Sequence, residues 1–255
     1  MCHLQPVDWS SGWPVMGNAG EPYWKFRKPK SDSKTIVNPV ETDEFDSSKL
    51  GMQWQWQNDY KESYGQATSM GFFRLFTYAL PELGDVSNLW YVPNMLLQKT
   101  PADEFTATTK LSFCSRNSDQ YVGLVCMSAE YSSVGLQRTE DGYELQIRHN
   151  PNAMRTYLTD EVLTVDTLKP TQKGTPRKGR PAEMHIKDVY LRMSIKDSKV
   201  NYAYSIDGKK WKKAGGEYAM GKGRWIGSKI GFFAVDPNKT GRKGFIDIDW
   251  FRISR

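Results

Sequence analysis

Short runs of apolar and aromatic residues, each followed by turn-forming residues, recur from about residue 42 to the end of the chain and restrict its fold most strongly. Residues 52–57 (Met-Gln-Trp-Gln-Trp-Gln) alternate between large apolar and polar side chains, which is the period of a half-buried strand. Residues 121–127 (Tyr-Val-Gly-Leu-Val-Cys-Met) are continuously apolar. About a dozen such segments without a long amphipathic helix predict an all-β sandwich or barrel.

Two of the turns predict particular hairpins. Residues 134–138 and 143–148 flank a Glu-Asp-Gly sequence, and residues 200–206 are followed by Asp207 and Gly208. Because aspartate and glycine accept positive φ angles, Asp-Gly predicts a tight two-residue turn between antiparallel strands.

The first 40 residues differ in texture from the rest of the chain. They are rich in Trp, Pro and Gly and show little periodicity, a composition that favours neither a strand nor a helix. We therefore predict two parts. Residues 1–41 are the end of a preceding structure followed by a linker, and residues 42–255 form one β-sandwich.

The cysteines and the apolar segments exclude several classes of protein. Cys2, Cys114 and Cys126 are too few and too irregularly spaced for a disulfide framework. Cys114 and Cys126 are predicted to be buried free thiols, and a single disulfide between them is the alternative. There is no run of about 20 apolar residues to cross a membrane, and the N-terminus lacks the basic and apolar regions of a signal peptide.

The net charge of +6 comes largely from residues 169–181, a stretch rich in Lys, Arg, Pro and Gly. Such a stretch can bind nucleic acid or an acidic polysaccharide. No nucleic-acid motif accompanies it, and a solvated loop is the simpler interpretation. Neither nucleic acid nor a membrane is predicted as a partner.

Two ordered groups of segments carry a family resemblance. The first comprises His3-Leu-Gln-Pro-Val-Asp-Trp9, Gly12-Trp-Pro-Val-Met-Gly17 and Gly20-Glu-Pro22. The second comprises Asp43-Glu-Phe-Asp46, Leu50-Gly-Met-Gln-Trp-Gln-Trp56, Gly71-Phe-Phe-Arg-Leu75, Asn94-Met-Leu-Leu-Gln98, Ala107-Thr-Thr-Lys-Leu111, Val122-Gly-Leu124 and Asp247-Ile-Asp-Trp-Phe251. The first group resembles the tail of the five-bladed catalytic propeller of family 43 glycoside hydrolases. The second resembles the C-terminal concanavalin-A-like β-sandwich of the same family, in order and spacing, over nearly the whole chain from residue 42.

This resemblance implies a two-layer antiparallel jelly roll and a parent enzyme of the β-xylosidase or α-L-arabinofuranosidase kind. The family's catalytic carboxylates lie in the propeller, upstream of every residue present, so none is assigned to this chain. The implied partners are a plant cell-wall oligosaccharide or polysaccharide of the xylan or arabinoxylan type and a family 43 propeller, in cis or in trans. The resemblance also implies that Met1 coincides with an interior position and that the full-length protein is periplasmic or extracellular.

Two acidic clusters are candidates for chemistry of the chain's own. They are Glu41-Thr-Asp-Glu-Phe-Asp46, near the start of the sandwich, and Asp247-Ile-Asp249, whose two carboxylates share one strand face. Hydrolysis requires two carboxyl groups that face each other across the glycosidic bond. We instead expect salt bridges, or a structural Ca²⁺ held by Asp43 and Asp249 where the first and last strands meet.

The histidines predict no metal site. His3, His149 and His185 are scattered along the chain and show no metal-ligand spacing.

The strand at residues 53–57 also predicts a surface for sugar or for the propeller. Its Trp54 and Trp56 share one face with Leu50 and Met52, which indicates the core, and its glutamines point the other way. We predict a carbohydrate-facing or propeller-facing site formed by Gln55, Gln57, Asn58 and Tyr60. The function predicted first is a non-catalytic accessory domain that braces the propeller. A free-standing carbohydrate-binding module and an independent hydrolase are the alternatives.

Overall fold

The chain divides into two compact units, Met1–Asn38 and Pro39–Arg255. The computed structural model of the protein describes residues 4–27, 30, 39–80, 88–155, 159–223, 225–239 and 241–255. In the first unit, strand β1 (Val7–Asp8) pairs antiparallel with β2 (Val15–Met16). Large aromatic side chains of this unit, among them Trp13 and Trp24, are mostly exposed. Its origin as the tail of a catalytic propeller stays a prediction.

The second unit is built almost entirely from strands. A short 3₁₀ helix, η1, covers Leu89–Tyr91, and no helix among the described residues has the length and apolar character needed to cross a bilayer. The strands are β3 (Gln55–Trp56), β4 (Gly65–Ala67), β5 (Phe73–Phe76), β6 (Tyr78–Ala79), β7 (Leu96–Lys99), β8 (Phe105–Ser115), β9 (Tyr121–Met127), β10 (Tyr131–Arg138), β11 (Tyr143–Asn150), β12 (Glu161–Leu168), β13 (Gln172–Lys173), β14 (Met184–Lys196), β15 (Lys199–Ser205), β16 (Lys212–Ala219), β17 (Lys229–Asp236) and β18 (Phe245–Ser254).

These strands form two large sheets. Sheet I has the order β12-β11-β10-β9-β17-β7-β3, with β6 parallel to β17. Sheet II has the order β16-β15-β14-β8-β18-β5-β4, with β13 beside β14. All other pairings in the two sheets are antiparallel. The predicted two-layer antiparallel sandwich is therefore confirmed.

The main core lies between the two sheets, because their strands place every second residue inward. Along β8, Phe105, Ala107, Leu111 and Phe113 are buried in it, and every second residue from Thr106 to Ser112 is half-exposed. Side chains from sheet I, such as Leu124, meet them from the other side. Interdigitation of the two inner faces is the main source of hydrophobic stabilisation in such a fold.

A second core covers the outer face of sheet I, which we call the covered face. Val125 and Phe233 of sheet I pack there against Leu89, Val92 and Ala153, which belong to the connections around η1 and after β11. Both faces of β9 are consequently buried. This explains why residues 121–127 are continuously apolar and do not alternate.

The outer face of sheet II, which we call the open face, is only partly shielded from solvent. Arginine side chains lie over aromatic rings there. The Cζ atom of Arg192 is 3.6 Å from the ring centre of Trp211, and that of Arg74 is 3.9 Å from the ring centre of Phe245. Cation–π stacking and ion pairs replace apolar packing on this face.

The structure confirms both predicted hairpins and corrects one turn. Strands β10 and β11 pair across residues 139–142, and β15 pairs with β16. The second connection spans residues 206–211 and is wider than the tight turn predicted from Asp-Gly. One carboxylate oxygen of Asp207 accepts hydrogen bonds from the backbone N–H groups of Lys209 and Lys210, each at 2.8 Å, and this stabilises the wider turn.

Candidate functional site at strand β3

Strand β3 forms one edge of sheet I, and Trp56 in the strand and Trp54 just before it both lie on the core side. Trp54 is buried, stacks on Phe45 with ring centres 5.6 Å apart, and meets Phe251 edge-on at 5.3 Å. Trp56 is half-buried against the same core. The prediction for the two tryptophans is confirmed. The prediction for Met52 is wrong, because regular pairing begins only at Gln55 and Met52 is fully exposed.

A groove lies beside the exposed side of Trp56. Its aromatic wall is the pair Trp56 and Tyr60, whose ring centres are 5.7 Å apart at an interplanar angle of 35°. Aromatic rings combined with amide and ammonium groups suit the C–H faces and hydroxyls of a sugar. The groove is lined by Ser48, Lys49, Leu50, Trp56, Tyr60, Gly65, Gln66, Ala67 and Phe73. Two further lining residues were not predicted from the sequence. They are Lys49, in the segment before β3, and Gln66, which lies on β4 in the other sheet.

The four residues predicted to face sugar or propeller separate into two groups. Tyr60 lines the groove, and Asn58 is exposed in the turn just before it. Gln57 instead joins parts of the domain, because its Oε1 accepts a hydrogen bond from Lys229 Nζ at 2.6 Å and its Nε2 donates to Trp90 O at 3.3 Å. Gln55 is half-buried and its partner in the sheet is Leu97.

Asp43, one of the two predicted calcium ligands, anchors the start of the sandwich. Its backbone pairs with Phe251 of the last strand, so the first and last segments of the domain meet as predicted. One carboxylate oxygen accepts hydrogen bonds from Trp54 Nε1 at 2.7 Å and from Gln53 Nε2 at 3.3 Å. The other accepts from the backbone N–H of Phe45 at 2.9 Å. The carboxylate thus fixes the tryptophan that fills the core.

Asp249, the other predicted calcium ligand, contacts Lys110 at 3.0 Å. It is the extra residue of a bulge in β18, between Ile248 and Trp250. A second bulge in β14 lies near Asp188, which contacts the same ammonium group at 3.1 Å. Bulges redirect side chains, and here they bring two carboxylates to one lysine. Calcium at Asp43 and Asp249 stays a prediction.

The remaining carboxylates of the two acidic clusters that have a described partner are bound to arginines. Glu44 accepts two hydrogen bonds from Arg252, at 2.7 and 2.8 Å, and Asp247 accepts two from Arg74, also at 2.7 and 2.8 Å. The hydrogen bonds from Arg252 lower the pKa of Glu44. A catalytic acid requires a raised pKa, so this arrangement is suited to structural ion pairs.

Two eight-stranded sheets, packed face to face with the first and last segments joined, define a concanavalin-A-like β-sandwich domain. A sequence profile described as the beta-xylosidase C-terminal concanavalin A-like domain matches residues 42–254. The chain belongs to this family.

Individual relatives agree with this assignment. The chain is 26% identical over 271 residues to a β-xylosidase of Formosa agariphila, and the match covers 97% of this chain and 41% of the relative. It is 23% identical to a non-reducing end α-L-arabinofuranosidase of Bacteroides ovatus, over 80% of this chain and 34% of the relative. The chain spans between 34% and 43% of the curated relatives that it matches.

Solved structures show the same fold. The crystal structure of a xylan β-1,4-xylosidase from Bacillus halodurans superposes with a TM-score of 0.70, covering 98% of this chain and 46% of that chain at 18% identity. A family 43 protein from Bacillus licheniformis gives 0.67, with the same coverage and 24% identity.

Proposed function

We propose that this chain is the non-catalytic accessory domain of a glycosidase directed at xylan or arabinan, and that it braces a family 43 catalytic propeller in cis or in trans. The family of the chain and its share of the relatives' length support an accessory role. The observation that carries the proposal is the exposed apolar surface around β3. Met52 is fully exposed and Tyr60 is 58% exposed.

This surface has the composition of a protein interface. Methionine and tyrosine are enriched where proteins meet, and a group of exposed large apolar side chains marks an interaction site. Leu50 and Lys49 lie between Met52 and Tyr60, because they line both the groove beside Trp56 and the adjoining groove that contains Met52. A propeller docked here covers these side chains. Tyr60 and Asn58 then lie at the rim of the joint, where they contribute to a pocket for the xylan-type sugar.

Binding to a propeller tests this proposal. The probe is the part of the Formosa agariphila β-xylosidase that this chain does not match, and the measurement is sedimentation velocity of the mixture. We expect a one-to-one complex. Met52→Glu and Tyr60→Glu are each expected to weaken it at least about tenfold, because a charge enters the apolar contact.

The matched control uses the opposite edge of sheet I. Leu163 of β12 is also an exposed apolar residue, at the far end of the strand order from β3. Leu163→Glu is expected to leave binding unchanged. The proposal is overturned if no complex forms, or if Leu163→Glu weakens the complex as much as Met52→Glu.

The neighbouring rings of Trp56 and Tyr60 support a second candidate, a free-standing carbohydrate-binding module. Titration calorimetry with xylohexaose separates the two. Micromolar-to-millimolar binding by the isolated chain that disappears in Tyr60→Ala supports the module. Release of xylose from an aryl xyloside by the isolated chain, lost on changing one of its own carboxylates, overturns both non-catalytic assignments.

A further inference from the structure

The pairing of strands β8 and β14 brings together three metal-binding side chains, of which Cys114 is far from the other two in the sequence. Cys114 and His185 are direct partners in the antiparallel register, so their side chains share one sheet face with their Cβ atoms about 5 Å apart. Glu183 lies two residues before His185. The thiol, imidazole and carboxylate offer ligand atoms that all lie within 4.8 Å of one another. The scattered spacing of the histidines in the sequence does not reveal this cluster around His185.

The three ligand atoms converge on one point. Cys114 Sγ is 3.4 Å from His185 Nε2, and the same Nε2 is 2.8 Å from Glu183 Oε1. In a tetrahedral zinc site, bond lengths of about 2.3 Å to sulfur and about 2.0 Å to nitrogen place these two ligands about 3.5 Å apart. The observed sulfur–nitrogen separation matches this spacing. The carboxylate oxygen needs a shift of about 0.5 Å to reach the corresponding distance.

A neighbouring arginine holds the carboxylate in place. Arg116 Nε donates to Glu183 Oε2 at 2.8 Å, which leaves Oε1 directed at the imidazole and the thiol. Partners of this kind orient metal ligands in many protein sites. The side chains of Glu183 and His185 are 39% and 29% exposed, so an ion has a path from solvent and a water molecule can occupy the fourth position.

The same geometry excludes a catalytic Cys-His-Glu relay. In such a relay the carboxylate binds one imidazole nitrogen and the thiol binds the other. Here the thiol and the carboxylate both face Nε2. Burial and the nearby Glu183 charge also raise the pKa of the Cys114 thiol to about 12, whereas a nucleophilic cysteine needs a lowered pKa.

We propose that Cys114, Glu183 and His185 form a zinc-binding site on the open face of sheet II, with water as the fourth ligand. Sulfur and imidazole ligands select Zn²⁺ over the hard cations Ca²⁺ and Mg²⁺. On binding, Cys114 Sγ loses its proton to solvent and forms the Zn–S bond, while His185 Nε2 and Glu183 Oε1 donate lone pairs.

Cobalt substitution tests the site in the full chain under reducing conditions. All proteins carry Cys2→Ala, so that the N-terminal thiol contributes nothing. Titration with Co²⁺ is expected to give one thiolate-to-cobalt charge-transfer absorption band per chain, and Zn²⁺ should displace the cobalt. Cys114→Ser should abolish the band. His185→Gln and Glu183→Gln should weaken Zn²⁺ binding at least about tenfold, as loss of metal-site residues does elsewhere.

Two control variants match the thiol and the imidazole. Cys126→Ala removes a free thiol buried in the main core. His149→Gln removes an imidazole that also contacts two carboxylates, but with different nitrogens, Nε2 to Glu130 at 3.0 Å and Nδ1 to Glu161 at 3.1 Å. Both controls should bind cobalt like the parent chain. An absent band in the parent, a full band in Cys114→Ser, or unchanged Zn²⁺ affinity in His185→Gln overturns the proposal.

Discussion

The outer faces of the two sheets are closed in different ways. The covered face of sheet I lies under a small apolar layer from the chain's own connections, in which Leu89 and Val92 pack on Phe233 and Val125. The open face of sheet II carries ion pairs and stacked arginines, such as Arg74 on Phe245. The sandwich thus has a third, partial layer on one side only. We therefore expect the apolar contacts of the covered face to contribute more to stability than the polar contacts of the open face.

The two candidate sites both lie away from the covered face. The covered face is filled by residues of the same domain. The aromatic groove lies at the β3 edge of sheet I. The cluster of Cys114, Glu183 and His185 lies on the open face of sheet II. Apolar packing closes the covered face, whereas polar and aromatic side chains remain accessible to solvent at the β3 edge and on the open face.

Matched phenylalanine truncations give the largest expected contrast. Phe233→Ala empties a fully buried site on the covered face, where the ring lies 5.9 Å from Tyr121. We expect a loss of about 3–5 kcal/mol in the free energy of unfolding. Phe245→Ala on the open face removes a half-exposed ring and its stacking with Arg74. This should lower the free energy of unfolding by about 1 kcal/mol. Urea denaturation measures both, and equal losses would show that the covering layer contributes little.

A pair of aspartates extends the comparison to polar contacts. Asp43→Ala removes the acceptor for the buried Trp54 N–H, so we expect a loss of about 2 kcal/mol. Asp249→Ala removes a half-exposed contact with Lys110 on the open face and should cost less than about 1 kcal/mol.

Thermal unfolding with and without EDTA tests the predicted calcium ion in the same two aspartate variants. The parent chain and both variants carry Cys114→Ser in this experiment, so that the chelator does not act through the proposed zinc site. If the parent chain holds calcium at Asp43 and Asp249, the chelator lowers the melting temperature of the parent chain. The melting temperatures of the two variants, which have each lost a ligand, do not change. If hydrogen bonds alone explain the role of Asp43, EDTA has no effect on any of the three proteins.

The sandwich could be predicted from the sequence because the patterns that indicate it are local. Alternation placed Trp54 in the core, and Asp-Gly placed the β15–β16 hairpin. The covering layer was missed, although the continuous apolar run of β9 is the pattern expected of a strand with both faces buried. Nothing in residues 88–95 marks them as the cover, because their partners on β9 and β17 are distant in the chain.

The sites were less predictable than the fold. Tyr60 was predicted from its place after the strand, whereas Gln66 reaches the same groove only through the pairing of β4 with β5. Cys114 and His185 meet through the register of β8 and β14. Single-residue bulges likewise decide where Asp249 points. Register and bulges depend on the packing of the whole sheet, so short sequence patterns do not specify them.

Two carboxyls should give pH dependences of opposite sign. Asp160 is half-buried beside the covered face and accepts hydrogen bonds from Tyr131 Oη and from Asn150 Nδ2, yet burial raises its pKa. Its stabilising contribution is therefore fully present below the unfolded pKa of about 4 and is lost as the pH rises through the raised value.

Asp207 lies in the β15–β16 turn, and hydrogen bonds from Lys210 N, Lys209 N and the Ser205 hydroxyl lower its pKa to about 2. Its contribution is present above pH 4 and is lost as the pH falls toward 2.

Asparagine variants measure this contrast through the free energy of unfolding between pH 2 and pH 7. Relative to the parent chain, Asp160→Asn should become more stable as the pH rises from 4 to 7. Asp207→Asn should become less stable as the pH rises from 2 to 4 and then stay constant. Parallel curves for the two variants would contradict the different environments assigned to these carboxyls.

The smallest expected effect concerns the ion pairs of the open face. Asp247→Asn keeps the shape of the side chain but removes the charge that binds Arg74 at 2.7 Å, so we expect a loss of about 1 kcal/mol in 50 mM NaCl. Salt screens partly exposed charges, so the loss should shrink in 1 M NaCl. Glu104→Gln breaks the more exposed pair with Lys196 and should cause no measurable change. A larger loss at Asp247 that does not respond to salt would mean that this part of the open face is as well shielded from solvent as the covered face, and the contrast between the two sheets would then fail there.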